Sequence, residues 1–141
     1  MSTKREMRET VLRAHVWLVI TAIPLLDRLL PLRWLLALMT PPAGFTPYRG
    51  VPAERIMRAV EQRLRRPRNM RRRACLREGI ALFHFLRLAG LPVVLHVGVY
   101  PPKDADGRLR AHCWVTHGGK ALQAAPEQPI AVVLNYGTKS A

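Results

Sequence analysis

Apolar positions along the chain change period twice, and the changes divide it. From Val11 to Met39 they nearly fill the sequence, VLRAHVWLVITAIPLLDRLLPLRWLLALM. The uninterrupted part, Ala14 to Leu26, is shorter than the ~20 residues that cross a bilayer; it contains His15 and Pro24 and is bounded by Arg13 and Asp27. A helix pair packed on a core is the first reading of this region, and association with a membrane surface stays open beside it. Pro24 and Pro31 predict a break or kink. Met1 to Thr10 is charged and polar, the frayed first turn of the leading helix. Thr40 to Pro52, rich in proline and glycine, reads as an irregular connection and as the best internal boundary. Ala53 to Leu64 returns to helical spacing, with Ile56, Met57, Val60 and Leu64 on one face and Glu54, Arg58, Glu61 and Arg65 outside.

After Cys75 the apolar residues Leu76, Ile80, Phe83 and Leu86 recur every three or four positions, and Gly90 and Pro92 supply a stop, so a helix of about four turns is predicted. The period then falls to two. Pro92 to Tyr100 is a strand with Val93, Leu95, Val97 and Val99 on one face and Val94, His96, Gly98 and Tyr100 on the other. Leu109 to Thr116 is a second strand across the Asp-Gly turn signal in PPKDADGR, and the two are expected to pair antiparallel. His117, Gly118 and Gly119 turn the chain into Lys120 to Ala124, and Ile130 to Leu134 makes a last short strand. Helices followed by an antiparallel sheet define an α+β fold. Its two stretches, 1–52 (apolar helices and connection) and 53–141 (helix and sheet core), are expected to form one compact unit.

With 141 residues, 49% of them hydrophobic, the chain supports one ordinary core. Two cysteines and a start, MSTKREMRET, without a signal-peptide pattern argue for a reducing cytoplasm and against a disulfide framework. The formal net charge of +14 and isoelectric point near 11.5 imply an acidic partner: nucleic acid, anionic lipid or an acidic peptide. The basic run from Arg63 to Arg73, RLRRPRNMRRR, has no interleaved aromatic residue, so it offers no stacking platform for single-stranded nucleic acid.

Against that background Cys75 stands out. It falls in the first turn of its helix, where free backbone N–H groups, the positive end of the helix dipole and Arg71, Arg72 and Arg73 all favour a thiolate. A small cysteine that merely packs is the plain alternative. On the second strand His112 shares a face with Arg110 and Trp114, whereas Cys113 points the other way with Ala111 and Val115. The thiol available to His112 is therefore the distant Cys75. A helix-borne cysteine facing a strand-borne histidine is the geometry of thiol catalysis, with the N–H groups of the helix start as an oxyanion hole. His84, among phenylalanines, reads as a packed or capped core residue. His96 and His117 can approach His112 across the sheet, yet no Cys/His spacing matches a zinc site, so no metal is expected. Trp17, Trp34 and Trp114 read as core, with Trp114 also a candidate wall of a substrate groove.

The order RRACLREGIALFHFLRLAGLPVVLHVGVY followed by RAHCWVTHGGKAL resembles the transglutaminase-like cysteine peptidases of lasso-peptide biosynthesis, the B proteins that remove the leader from the precursor peptide. The resemblance covers Ala53 to the C-terminus and, more loosely, the leucine-rich first half. It implies a transglutaminase/papain-like core, in which a Cys-bearing helix packs on a small antiparallel sheet, with Cys75 as nucleophile and His112 as base. The family pattern also carries an acidic residue about a dozen positions past the histidine, which orients the imidazole and stabilises its cation. This chain has Gln123 and Ala124 there. Gln123 can orient the ring through its amide oxygen but cannot neutralise an imidazolium; Glu127 is the nearest carboxylate downstream, and Asp104 and Asp106 lie in the preceding loop. Nothing strand-like precedes Cys75, so the resemblance is to the stand-alone peptidase. Its implied partners are the precursor peptide, a separate leader-recognition protein and an ATP-using macrolactam cyclase, with no nucleic acid. Some relatives need ATP themselves, although this chain has no phosphate-binding Gly-rich loop and no cofactor motif. Acyl transfer to an amine by the same fold, or a non-catalytic basic module binding nucleic acid or an anionic membrane, are the competing readings.

Overall fold

Much of the apolar content of the chain is gathered around one helix. A computed structural model of the protein describes residues 2–64, 74–100, 110–122 and 130–137, with positions 2, 74, 75 and 110 as backbone. Helix α4 (Ala74–Leu88) lies at the centre. Ile80, Ala81, Leu82, Phe83, Phe85 and Leu86 leave it in every direction and all are buried, the signature of a helix covered on all sides. Helices α1 (Ser2–Leu29), α2 (Leu32–Met39) and α3 (Ala53–Leu64) pack around it, and the sheet covers the remaining side. Gly90, at φ +83°, ends α4: Leu91 N–H donates to the Leu86 carbonyl and Gly90 N–H to that of Arg87, both at 3.0 Å, a Schellman closure.

α1 contributes Leu12, Val16, Ile20 and Ile23, spaced by four, four and three, to the core. Of the break or kink expected at Pro24, a break does not occur: α1 runs through it to Leu29. Pro24 forfeits one N–H bond, and the full burial of Ile20 and Ile23 beside it offsets that loss. Pro31 does interrupt the chain, its carbonyl accepting the N–H groups of Trp34 and Leu35 to start α2. Trp17 and Trp34 correct a second expectation: both are more than half exposed, and of the three tryptophans only Trp114 is core. Each exposed ring instead carries a guanidinium over it, Arg63 on Trp17 and Arg33 on Trp34, both 5.4 Å from the centroid.

The sheet has the order β3-β2-β1-β4, with every pair antiparallel: β1 (Val94–Tyr100), β2 (Arg110–His117), β3 (Lys120–Ala121) and β4 (Ala131–Tyr136). The last strand extends two residues beyond the predicted Leu134, and its register on β1 shifts between Val97 and Gly98. Gly118 and Gly119, both at positive φ, make the two-residue turn from β2 to β3. Arg87 fastens the end of α4 to the sheet, donating to the carbonyls of Val93 (2.9 Å) and Gly137 (2.6 Å).

α4 approaches the sheet closely at one residue. A Cβ at Gly79 would lie 2.6 Å from Cys113 Sγ and 3.0 Å from Leu95 Cδ1. Gly79→Ala is therefore expected to destabilise the fold by about 1–3 kcal/mol through overpacking, outweighing the roughly 1 kcal/mol that alanine gains in a helix. Urea unfolding of Gly79→Ala, Cys113→Ala and the double variant gives the check. The double variant should be more stable than the sum of the singles predicts, because removing Sγ makes the room that the new methyl needs; strict additivity would place the contact elsewhere.

A polar cluster sits where α1, α2 and α4 meet. His84, which the sequence marked as a packed or capped residue, donates its Nδ1–H to the Met39 carbonyl at 2.7 Å. His15 Nδ1 shares a hydrogen bond with the Tyr48 hydroxyl at 2.8 Å, and the two imidazoles meet edge-on 5.7 Å apart. Burial holds both histidines below the ordinary imidazole value, and His15 lowers His84 further. The folded chain thus resists protonation of rings that the unfolded chain protonates freely, so stability is full above about pH 6.5 and falls as the pH drops below it. Urea midpoints at about pH 7.5 and about pH 5 should differ, and His84→Gln should shrink the difference. Equal shrinkage in a control histidine outside the cluster, such as His117→Gln, would refute the assignment.

Candidate active site

Two elements deliver the residues that the sequence singled out. The backbone of Cys75 forms part of the first turn of α4, the position whose N–H groups have no intrahelical acceptor and where the helix dipole is positive. α4 meets the sheet through Gly79, which packs on Cys113 of β2 and Leu95 of β1, and Cys75 precedes Gly79 by one helical turn, about 6 Å.

Neighbouring residues of β2 divide between its two sides. Cys113, a buried thiol, and Val115 face α4 together with Leu95 of β1. His112 takes the reverse side with Trp114, as alternation predicts. Its ring stacks on Trp114 at 5.7 Å and 19° and meets Tyr100 at 6.2 Å; Trp114 stacks in turn on His96 at 5.2 Å and 21°. A ladder of four rings therefore crosses this face of β1 and β2. Opposite His112 on β1 stands Gly98, where a Cβ would fall 2.7 Å from Ile130 Cδ1. The missing side chain leaves room for Ile130 over this part of β1. Among the described residues, β3 pairs with β2 at Thr116 and His117.

Sequence reasoning placed His96 near His112 but missed what holds it. His96 Nδ1–H donates to Asn135 Oδ1 at 2.6 Å, and its Nε2 accepts from the Thr116 hydroxyl at 2.7 Å, so one imidazole ties β4, β1 and β2 together. The alternation pattern contained His96 and Thr116, but Asn135 lay beyond the predicted end of the last strand. Gln123, Glu127, Asp104 and Asp106, the candidates for a third member, lie outside the described residues, as does the run from Arg65 to Arg73. Among the described residues no group of three His, Cys, Asp or Glu side chains is arranged to hold a metal ion.

A second feature lies away from these strands. An open cleft of about 750 Å³ separates the first turns of α1 from α3, with Lys4, Arg8, Arg13, Arg55 and Arg58 in its walls. Its carboxylate, Glu9, is shared by Arg55 at 2.5 Å and Arg5 at 3.8 Å. Cations remain in excess, and the cleft suits an anionic segment.

Residues 25–134 match the transglutaminase-like superfamily, and the chain belongs to it. Domains of this superfamily typically carry cysteine-peptidase or acyltransferase chemistry, and four helices on a small antiparallel sheet agree with its α+β architecture. No curated protein and no solved structure matches the chain.

Proposed function

We propose that this protein is a cysteine peptidase that removes the leader from a ribosomally made lasso-peptide precursor, with Cys75 as nucleophile and His112 as base. The observation that carries the proposal is a transglutaminase-like domain in which α4 begins at the Cys75 turn and packs, through Gly79, on β2, the strand that bears His112. His112 takes the thiol proton, and the thiolate adds to the scissile carbonyl. The oxyanion is received by the N–H groups of the first turn of α4. Collapse breaks the C–N bond, the amine leaves with the proton from the imidazolium, and a thioester remains. Water, deprotonated by His112, cleaves the thioester and restores the thiol. Gln123 orients the imidazole, and Trp114 and Ile130 border the peptide. An acidic stretch of the precursor or of its recognition protein occupies the basic cleft beside α1. The recognition protein delivers the precursor, and an ATP-using cyclase consumes the freed core peptide in the cytoplasm.

The test is a cleavage assay with precursor peptide and recognition protein, read by mass spectrometry. Cleavage at one bond supports the proposal. An amine-capped product formed when a primary amine is added would assign acyl transfer instead. A folded chain that cleaves nothing with its partners present, but binds polyanions with steep salt dependence, would be a basic binding module.

A further inference from the structure

α1 buries one side and leaves another bare. Met7, Val11, Leu18, Leu25 and Leu29 fall within an arc of about 40° on the helix surface and run for about 33 Å along it. They are 54–68% exposed, far from the scattered single residues that an ordinary surface shows. Trp34 and Leu38 of α2 and Phe45 beyond it continue the exposed apolar series. Thr10 and Thr21, on the border of the stripe, turn their hydroxyls back to the carbonyls of Glu6 and Trp17 in their own helix.

Charge decides what covers such a face. Lys4 and Arg28 flank the stripe, and Arg33 follows it with its guanidinium over Trp34. The three carboxylates of α1 stay off it: Glu6 and Glu9 are on other sides of the helix, Glu9 held by Arg55, and Asp27 is turned inward to Arg77. An apolar stripe bordered by cations and exposed tryptophan, on a chain of net charge +14, complements an anionic lipid surface. α1 is also long and apolar enough to cross a bilayer, but Leu12, Val16, Ile20 and Ile23 fasten it to the domain. We infer that the protein docks on anionic membranes by laying the Met7–Leu29 stripe of α1 in the interface, with Arg28 and Arg33 at the headgroups. The inference is independent of the peptidase reading.

Co-sedimentation of the full chain with vesicles tests it, comparing phosphatidylcholine alone with phosphatidylcholine containing phosphatidylglycerol. Binding is expected to require the anionic lipid and to weaken in high salt. Leu18→Glu with Leu25→Glu, both at exposed positions, should reduce partitioning at least about tenfold while circular dichroism stays unchanged. Arg28→Gln with Arg33→Gln should reduce it as well, by about fivefold per cation removed. Failure to bind anionic vesicles, or binding that the leucine substitutions leave intact, would overturn the inference. So would a vesicle-free oligomer, seen by light scattering, that Leu18→Glu with Leu25→Glu dissolves, since a second copy would then own the face.

Discussion

Cys75→Ala is expected to lower the rate of leader cleavage by about 10⁴-fold or more while leaving thermal unfolding close to that of the unaltered protein. The loss is large because Cys113, the other thiol, is buried against Gly79, out of reach of a substrate. Cys113→Ala should therefore keep most of the activity. His112→Ala should cost nearly as much as Cys75→Ala, and the double variant little more than either, because base and nucleophile act on one step. A second readout separates pairing from mere proximity. The pH dependence of iodoacetamide alkylation at Cys75 reports its thiolate. An imidazolium partner extends the thiolate to lower pH, so His112→Ala should move the alkylation profile upward, towards the value that the helix terminus alone confers. Full cleavage by Cys75→Ala would end the thiol-peptidase reading, and an unmoved alkylation profile would remove His112 from the role of base.

Periodicity carried most of the architecture. The alternation of Val93, Leu95, Val97 and Val99 with His96, Gly98 and Tyr100, and of Cys113 with His112 and Trp114, was readable because a strand with one covered face must alternate. α4 was readable because Gly90 is needed at positive φ. The packing of helix on sheet was not. That α4 rests on β2 depends on Gly79 admitting Cys113 Sγ, a contact between residues far apart in sequence that no local pattern encodes. The helical half failed for a different reason. Its apolar content is nearly continuous, so composition could not distinguish Ile20 and Ile23, which the core claims, from Leu18 and Leu25, which it leaves bare. Trp17 and Trp34 were misassigned for the same reason. Pro24 was tolerated because burial of its neighbours outweighs one lost hydrogen bond, a balance that only the tertiary structure sets.

Asp27→Ala is expected to destabilise the fold by about 3–5 kcal/mol, the largest loss that a single surface-charge count would overlook. Asp27 ends the apolar run of α1 and looked like a boundary to it, yet its carboxylate is about as buried as the core around it, 3.7 Å from the equally buried guanidinium of Arg77. Two charges taken out of water are tolerable only together: their attraction in a poorly polarisable interior offsets a desolvation cost of several kcal/mol per ion. Removing the carboxylate leaves the cost of burying Arg77 while deleting its counter-charge. The consequence reaches the helix that bears Cys75, because Arg77 lies two residues further along α4 and Asp27 is the point at which α1 grips it electrostatically. Asp27→Leu combined with Arg77→Met should recover most of the lost stability, since apolar side chains of similar volume remove both desolvation terms at once. Urea unfolding of the single and double variants measures both effects. A cost below about 1 kcal/mol for Asp27→Ala would mean that the pair behaves as a solvated surface bridge. A double variant no better than the single would mean that Arg77 is held by its other contacts, and α1 would then be fastened by Leu12, Val16, Ile20 and Ile23 alone.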